Sequence, residues 1–287
     1  MSRITNPSYV TRIMKERGFS TKKRFGQNFL IDQNIVGRII QTADLQPDEW
    51  VLEIGPGLGA LTMHLGEQAA HVVAMEIDRG LAAILRDTLV SPTVTVWEGD
   101  ALEADWEQLL LDAAWQGERL KLVANLPYYL TTPLVMKALE SNLPFVSIVV
   151  MVQREVGLRM LAQPGSSDYG VLSLAVQYYC QASLAFAVPR TVFLPAPSVD
   201  SVVVVLKPKP PQVDAPRAEL FTVIRAAFQQ RRKTIRNALR EVAAGWGLDT
   251  DQLEQALHAV EIEPTLRGER LSLEEYSRLT KELLKGV

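Results

Sequence analysis

Short apolar runs separated by amphipathic stretches set the pattern of this chain. Continuous hydrophobic segments of strand length fall at 50–54, 72–77, 94–97, 120–124 and 145–152. Their unbroken apolar character predicts strands covered on both faces, as in a parallel sheet. Between them, 60–66 and 80–89 carry helix formers at helical spacing, and Asp32 opens another such stretch through residue 40. Each fits a crossover helix, so the alternation predicts an α/β sheet of the Rossmann-like kind. After Gly170 the pattern changes to 171–180 and then to two β-rich runs, 184–188 and 202–206, separated by Pro189, Pro195 and Pro197. These predict a closing hairpin at the sheet edge.

Lys207-Pro208-Lys209-Pro210-Pro211 is stiff, extended and unable to enter a helix interior, which predicts an interdomain linker. Residues 1–208 then form one domain, with 1–24 as a basic extension, and 209–287 form a smaller, all-helical one. In the latter, Leu220, Val223, Ile224 and Ala227 make one apolar stripe and Ile235, Leu239 and Val242 another. Capping boxes are predicted at Asp249 with Gln252 and at Ser272 with Glu275. Arg232, Arg236 and Arg240 recur every four residues, which predicts one basic helix face. Near the start, Asn6-Pro7 and Gly18 frame a short helix.

Composition narrows the class. With 287 residues, 47% hydrophobic and 22% charged, the chain can bury a full core and a second, smaller one. A lone Cys180 can form neither an internal disulfide nor a thiolate zinc site, which points to a reducing, cytoplasmic setting. No apolar stretch approaches the roughly 18 residues of a membrane span. The basic, acid-poor start also resembles a transit segment, a reading that the framed helix opposes. A net charge of −3 argues against indiscriminate nucleic-acid binding, yet cations cluster in two segments. One holds Arg12, Lys15, Arg17, Lys22, Lys23 and Arg24; the other holds Arg225, Arg231, Arg232, Lys233, Arg236 and Arg240. Either run alone reads equally well as a solvated face.

Candidate chemistry sits at the predicted strand ends. Glu53-Ile54-Gly55-Pro56-Gly57-Leu58-Gly59 falls where the first strand gives way to a helix, and its glycines let backbone amides approach a ligand. Glu76 ends the next strand, 21 residues after Gly55, where an acid can accept the hydroxyls of an adenosine ribose. Asp100, in Glu98-Gly99-Asp100-Ala101, follows the third and suits an adenine amino group. NAD and S-adenosylmethionine both satisfy this much. The Gly-x-Gly-x-Gly spacing departs from the dinucleotide fingerprint and favours the latter, which has no phosphate to bind. Gly55, Gly57, Glu76, Ile77, Asp100 and Ala101 are thus candidate cofactor contacts. Any one of these acids could equally be solvated.

Asn125-Leu126-Pro127-Tyr128 places an amide, a carbonyl and an aromatic face after the fourth run. Those are the parts needed to grip an extruded adenine. A strand ending in a turn, with Pro127 stopping the ladder and Tyr128 packing nearby, accounts for it too. Beyond it, Thr132 and Pro133 suit a helix cap and first position. His64, His71 and His258 are scattered and form no constellation with an acid.

These motifs together resemble the ribosomal RNA adenine N6,N6-dimethyltransferases. The likeness spans nearly the whole chain: Lys23-Arg24-Phe25-Gly26-Gln27-Asn28-Phe29-Leu30, Glu53 to Gly59, Asn125 to Tyr128, the Phe193-Leu194-Pro195-Ala196-Pro197-Ser198-Val199-Asp200-Ser201 run, and Phe228 to Arg236. The resemblance implies an S-adenosylmethionine-dependent methyltransferase sheet with a small helical RNA-binding domain. It implies that Asn28 and Leu30 help hold the methionine end over Gly55, that Glu76 takes the ribose and Asp100 the adenine, and that Asn125 touches both cofactor and target. Phe193 would face Tyr128 across the target base. Lys22, Lys23, Arg24, Arg231, Arg232, Lys233, Arg236 and Arg240 would meet RNA phosphates. The implied substrate is small-subunit (16S) rRNA within an immature 30S particle, at two adjacent adenines in a loop near its 3′ end; a monomer is the default for an enzyme that docks on so large a partner. Leu126 and the Phe25-Gly26-Gln27-Asn28 stretch favour that branch over the resistance-type enzymes acting on the large subunit. A docking factor for subunit assembly and an NAD-dependent dehydrogenase are the readings from other classes.

Overall fold

The structure, a computed structural model, describes residues 3–17, 27–89 and 91–286. The short β1 (Phe29–Leu30) precedes β2 (Trp50–Ile54), β3 (His71–Glu76), β4 (Val94–Glu98), β5 (Leu120–Asn125) and β6 (Phe145–Gln153). Later come β7 (Cys180–Val188), β8 (Phe193–Leu194) and β9 (Ser201–Pro208). Seven of these form one sheet in the order β4-β3-β2-β5-β6-β9-β7. β2 to β6 are mutually parallel, and β9 alone is paired antiparallel to β6. The two late β-rich runs therefore lie side by side, with β7 at the edge. β1 and β8 make a separate antiparallel pair, Leu30 opposite Phe193.

The helix α1 (Pro7–Glu16) precedes β1, and between the strands lie α2 (Gln33–Ala43), α3 (Thr62–Gln68), α4 (Arg79–Thr88), α5 (Trp106–Asp112) and α6 (Thr131–Glu140). Short polar side chains start four of them: Asn6, Asp32 and Asp78 each accept two of the first backbone N–H groups and Asp105 accepts one, groups that would otherwise lack partners. On α2, Val36, Ile39 and Ile40 face Val51, Val123 and Val149 of the sheet. Burying each such side chain is worth roughly 1.5–3 kcal/mol. The winding into α6 starts earlier than the sequence suggests. Leu130 N–H donates to the Pro127 carbonyl at 3.0 Å and the Thr131 hydroxyl donates to it at 3.2 Å, so a 3-10 turn, Tyr128–Leu130, runs straight into the helix. Pro133 is thereby the third helical residue, where a missing N–H is still harmless.

The chain divides into two compact units: one holds the residues through Gly157 together with Ala182–Pro208, the other Leu158–Gln181 together with Lys209 onward. A single cut at 208 therefore does not describe it. After α7 (Arg154–Leu161), the helix α8 (Val171–Tyr179) is apolar nearly all round, and Tyr178 stacks edge-on against Phe221 at 5.3 Å. Phe221 lies on α9 (Arg217–Gln229), which is followed by α10 (Ile235–Gly245), α11 (Thr250–Ala259) and α12 (Leu273–Leu284). Tyr169 donates to the Leu271 carbonyl at 3.0 Å and Tyr276 to that of Gly268 at 2.9 Å, which anchors this core. Capping boxes form at Asp249 with Gln252 and at Ser272 with Glu275. No helix among the described residues is long and apolar enough to cross a membrane.

Candidate active site

Strand order fixes where a ligand can sit. From β2 the chain goes out to β3 and β4 on one side, then returns to β5 and β6 on the other, so the loops after β2 and β5 part and leave a crevice at the strands' carboxyl ends. A cleft opens there. It is lined by Asn28, Leu30, Gly55, Gly57, Glu76, Ile77, Asp100, Ala101, Asn125, Leu126, Pro127 and Tyr128, so the structure gathers these distant candidates into one site.

The glycine turn makes close approach possible. Gly55 and Gly57 have φ of +68° and +59°, and a Cβ on Gly57 would come within 3.3 Å of the Phe29 ring. Gly57 N–H donates to Glu76 Oε2 at 3.0 Å, and Asp78 N–H donates to Oε1 at 2.9 Å. Each carboxylate oxygen keeps a second lone pair for a ligand hydroxyl. Burial nevertheless pushes the Glu76 pKa up to about 7, against the lowering effect of those bonds. Glu53 is more extreme: burial, opposed by the nearby Thr62 hydroxyl and reinforced by Glu76, takes its pKa to about 8. Its Oε2 has no hydrogen-bond partner among the described residues, and neither has Thr62 Oγ1. A buried oxygen without a donor is a group that a cationic ligand would satisfy.

At the other side of the cleft, Asn125 Nδ2 donates to the Asn28 carbonyl at 3.5 Å, which leaves its Oδ1 as an acceptor. Leu126 is anchored by its N–H to the Met151 carbonyl at 3.1 Å, and its side chain is buried. Pro127 holds φ at −61° and leads into the 3-10 turn. The half-buried Tyr128 ring is held by its hydroxyl, 2.8 Å from Ser201 Oγ at the start of β9. Burial raises the Tyr128 pKa, with the Ser201 bond opposing, so the phenol stays neutral. Near the adenine-type acid, Asp100 Oδ1 accepts the Leu102 N–H at 2.9 Å.

Two sequence expectations are corrected. Phe193 does not face this cleft: it is 2% exposed and packed in the core with Leu30, Phe186 and Val188, because β8 pairs with β1 and turns the ring inward. Arg232, Arg236 and Arg240 do not share a helix face: Thr234 caps α10, its hydroxyl accepting the Asn237 N–H, so Arg232 lies in the preceding turn. Arg236 pairs with Glu254 at 3.2 Å, and Arg231 donates to the Ser167 and Tyr169 carbonyls at 2.9 and 3.2 Å. Arg232, Lys233 and Arg240 are exposed. Lys22, Lys23 and Arg24 lie outside the described residues. Sequence reasoning also passed over Tyr129, 48% exposed at the cleft, and Ser201, whose only signal was its place in the Pro-rich motif.

Known proteins resemble this chain over nearly their whole length. The protein is 46% identical to the ribosomal RNA small subunit methyltransferase A of Alkaliphilus metalliredigens, over 99% of each chain. It is 44% identical to that of Bacillus mycoides, over 99% of this chain and 98% of the other. Among solved structures, a dimethyladenosine transferase from Plasmodium falciparum superposes with a TM-score of 0.74 at 25% identity, covering 88% of this chain and 96% of that one. The 23S rRNA methyltransferase ErmE gives 0.65 at 27% identity, covering 89% and 99%. The family pattern for ribosomal RNA adenine dimethylases matches residues 18–285, and the chain belongs to that family.

Proposed function

We propose that this rRNA adenine dimethyltransferase modifies N6 of two adjacent adenines in a loop near the 3′ end of small-subunit (16S) rRNA, acting on an immature 30S particle in the cytoplasm as a monomer. The small-subunit names of relatives at 44–46% identity favour this target over the large-subunit one carried by the more distant ErmE. The observation that carries the chemistry is Asn125, whose amide is oriented from behind by Asn28 in a cleft that also presents Glu76 and Asp100.

The residues present fit S-adenosylmethionine. Glu53 Oε2 would offer a buried partner for its ammonium, Asn28, Leu30 and Gly55 would hold the methionine end, Glu76 would accept from the ribose and Asp100 from the adenine amino group, and Gly57, Ile77 and Ala101 line the same cleft. When bound, this cofactor supplies an electrophilic methyl on a sulfonium. The exocyclic nitrogen of the target adenine is a weak nucleophile because its lone pair is delocalised into the ring. Asn125 Oδ1 and the Leu126 carbonyl accept its two N–H bonds and turn the lone pair toward the methyl. Pro127 fixes the turn that presents that carbonyl. Tyr128 stacks on the extruded base, a contact worth roughly 1–3 kcal/mol. No general base is needed, since the nitrogen sheds its proton after it has been methylated. For the second transfer, one remaining N–H needs only one acceptor.

The test supplies methyl-labelled cofactor and unmethylated small subunits and maps the product by mass spectrometry. Two adjacent dimethyladenines in small-subunit rRNA are expected; label confined to large-subunit rRNA would defeat the assignment.

A further inference from the structure

Lys137 lies two turns along α6 from the 3-10 turn that carries Tyr128. Its ammonium donates to three backbone carbonyls, those of Ala101 at 3.0 Å, Leu102 at 2.6 Å and Ala104 at 2.6 Å. Three donors thus meet three acceptors of one loop, which saturates the group. A lysine on a half-exposed helix ordinarily sends its head into water. Here the head is turned inward, 5.1 Å from the Trp106 ring centroid, and the Trp106 indole N–H donates to the same Ala101 carbonyl at 2.8 Å.

The loop so held is the one that follows β4. Its own bonds close it into a unit: the Asp100 carbonyl accepts from Glu103 and Ala104 at 3.2 and 3.0 Å, while Asp100 Oδ1 accepts from Leu102. Moving the 101–104 carbonyls therefore moves the Asp100 carboxylate. Lys137 itself does not line the cleft.

We propose that Lys137 is a positioning residue for recognition of the cofactor's purine: its ammonium sets the attitude of the Asp100-Ala101 turn and ties it to the helix that begins at the methyl-transfer side. The inference rests on the reading that Asp100 accepts from the adenine amino group. Removing the ammonium then slackens the contact that distinguishes a 6-amino purine, which donates to a carboxylate, from a 6-oxo purine, which repels it. Because Lys137 touches neither the methyl nor the target base, saturated turnover is left nearly intact.

The experiment uses the full chain and compares S-adenosylmethionine with its 6-oxo (inosyl) analogue in wild type, Lys137→Met, Lys137→Arg and Asp100→Ala. Methionine keeps the apolar stem against Trp106 but has no donor. Lys137→Met is expected to raise the cofactor Kd, measured calorimetrically for both analogues, about tenfold, the scale of one charge-assisted hydrogen bond, with kcat within twofold. The preference for the amino form should shrink, and Lys137→Arg should recover part of it. An unchanged preference in Lys137→Met, or an equal loss for both analogues, overturns the role of Lys137. If Asp100→Ala abolishes the preference while Lys137→Met keeps it, the purine assignment stands and only the lysine's part is lost. If Asp100→Ala leaves the preference intact, the purine assignment itself falls.

Discussion

Glu53 and Glu76 are almost wholly withdrawn from water, at 1% and 4% exposure, whereas Arg232, Lys233 and Arg240 of the helical unit stand in it. On the proposed function, the difference follows from what each region would bind. A small cofactor can be surrounded, so a few acceptors fixed by backbone amides and stripped of water give strong, directional contacts. A large polyanion cannot be surrounded. Long cations that keep their hydration until contact give steering and salt-sensitive affinity instead. Preorganisation is therefore concentrated in the cleft, and substitutions should cost most there.

The sharpest break in that contrast is Asn125→Ala. Losing one oriented acceptor at the reacting nitrogen should lower methyl transfer by about 10²- to 10³-fold, while cofactor affinity, measured calorimetrically, stays within a few-fold. Turnover near wild type would remove Asn125 from the mechanism.

Next is the pH dependence of cofactor binding. The raised pKa values of Glu76, about 7, and Glu53, about 8, mean that the free protein still carries protons on carboxyls that are ordinarily ionised at neutral pH. Ribose hydroxyls and an ammonium favour the ionised forms, so binding releases protons. Affinity should rise as pH climbs through about 7 toward about 8. Glu76→Gln should weaken binding by about tenfold and flatten the lower part of that rise. A pH-independent affinity in the wild type would show that these carboxyls do not meet the ligand.

On the exposed side, effects should be smaller and additive. Replacing Arg232, Lys233 and Arg240 by alanine should weaken association with small subunits and flatten the log–log salt dependence by about one unit per lost phosphate contact. Arg231→Ala should behave differently, lowering thermal stability by about 1 kcal/mol with little change in salt slope, because its guanidinium is committed to the Ser167 and Tyr169 carbonyls. Smallest of all, Ser201→Ala should reduce kcat about threefold by loosening the Tyr128 ring. Equal salt slopes for all four cations would erase the distinction between docking and structural arginines.

What could be read from the sequence was whatever repeats or is local. Strands β2 to β6 declared themselves as apolar runs, and the glycine turn and acids followed from their ends. Asn6, Asp32, Asp249 and Ser272 announced their helices by side-chain chemistry alone. The failures are all questions of partner. An all-round apolar helix such as α8 shows that it is buried, but its composition does not say that Phe221 is its neighbour. Phe193 carried the signature of a site aromatic, and only its backbone pairing opposite Leu30 reveals a core one. For Arg232 the four-residue spacing was real, but Thr234 was a competing cap signal two residues on, and it won. Lys137 left no trace, since its partners are main-chain carbonyls 33–36 residues earlier.

The bond between Tyr128 and Ser201 joins residues 73 positions apart, on a loop after a parallel strand and at the first residue of the antiparallel β9. During synthesis the parallel strands, the glycine turn and the cofactor acids all leave the ribosome well before that strand does. The Tyr128 hydroxyl therefore gains its Ser201 partner only once β9 has been made and has paired with β6. One ring of the cleft is thus held by the last strand of the sheet to be synthesised.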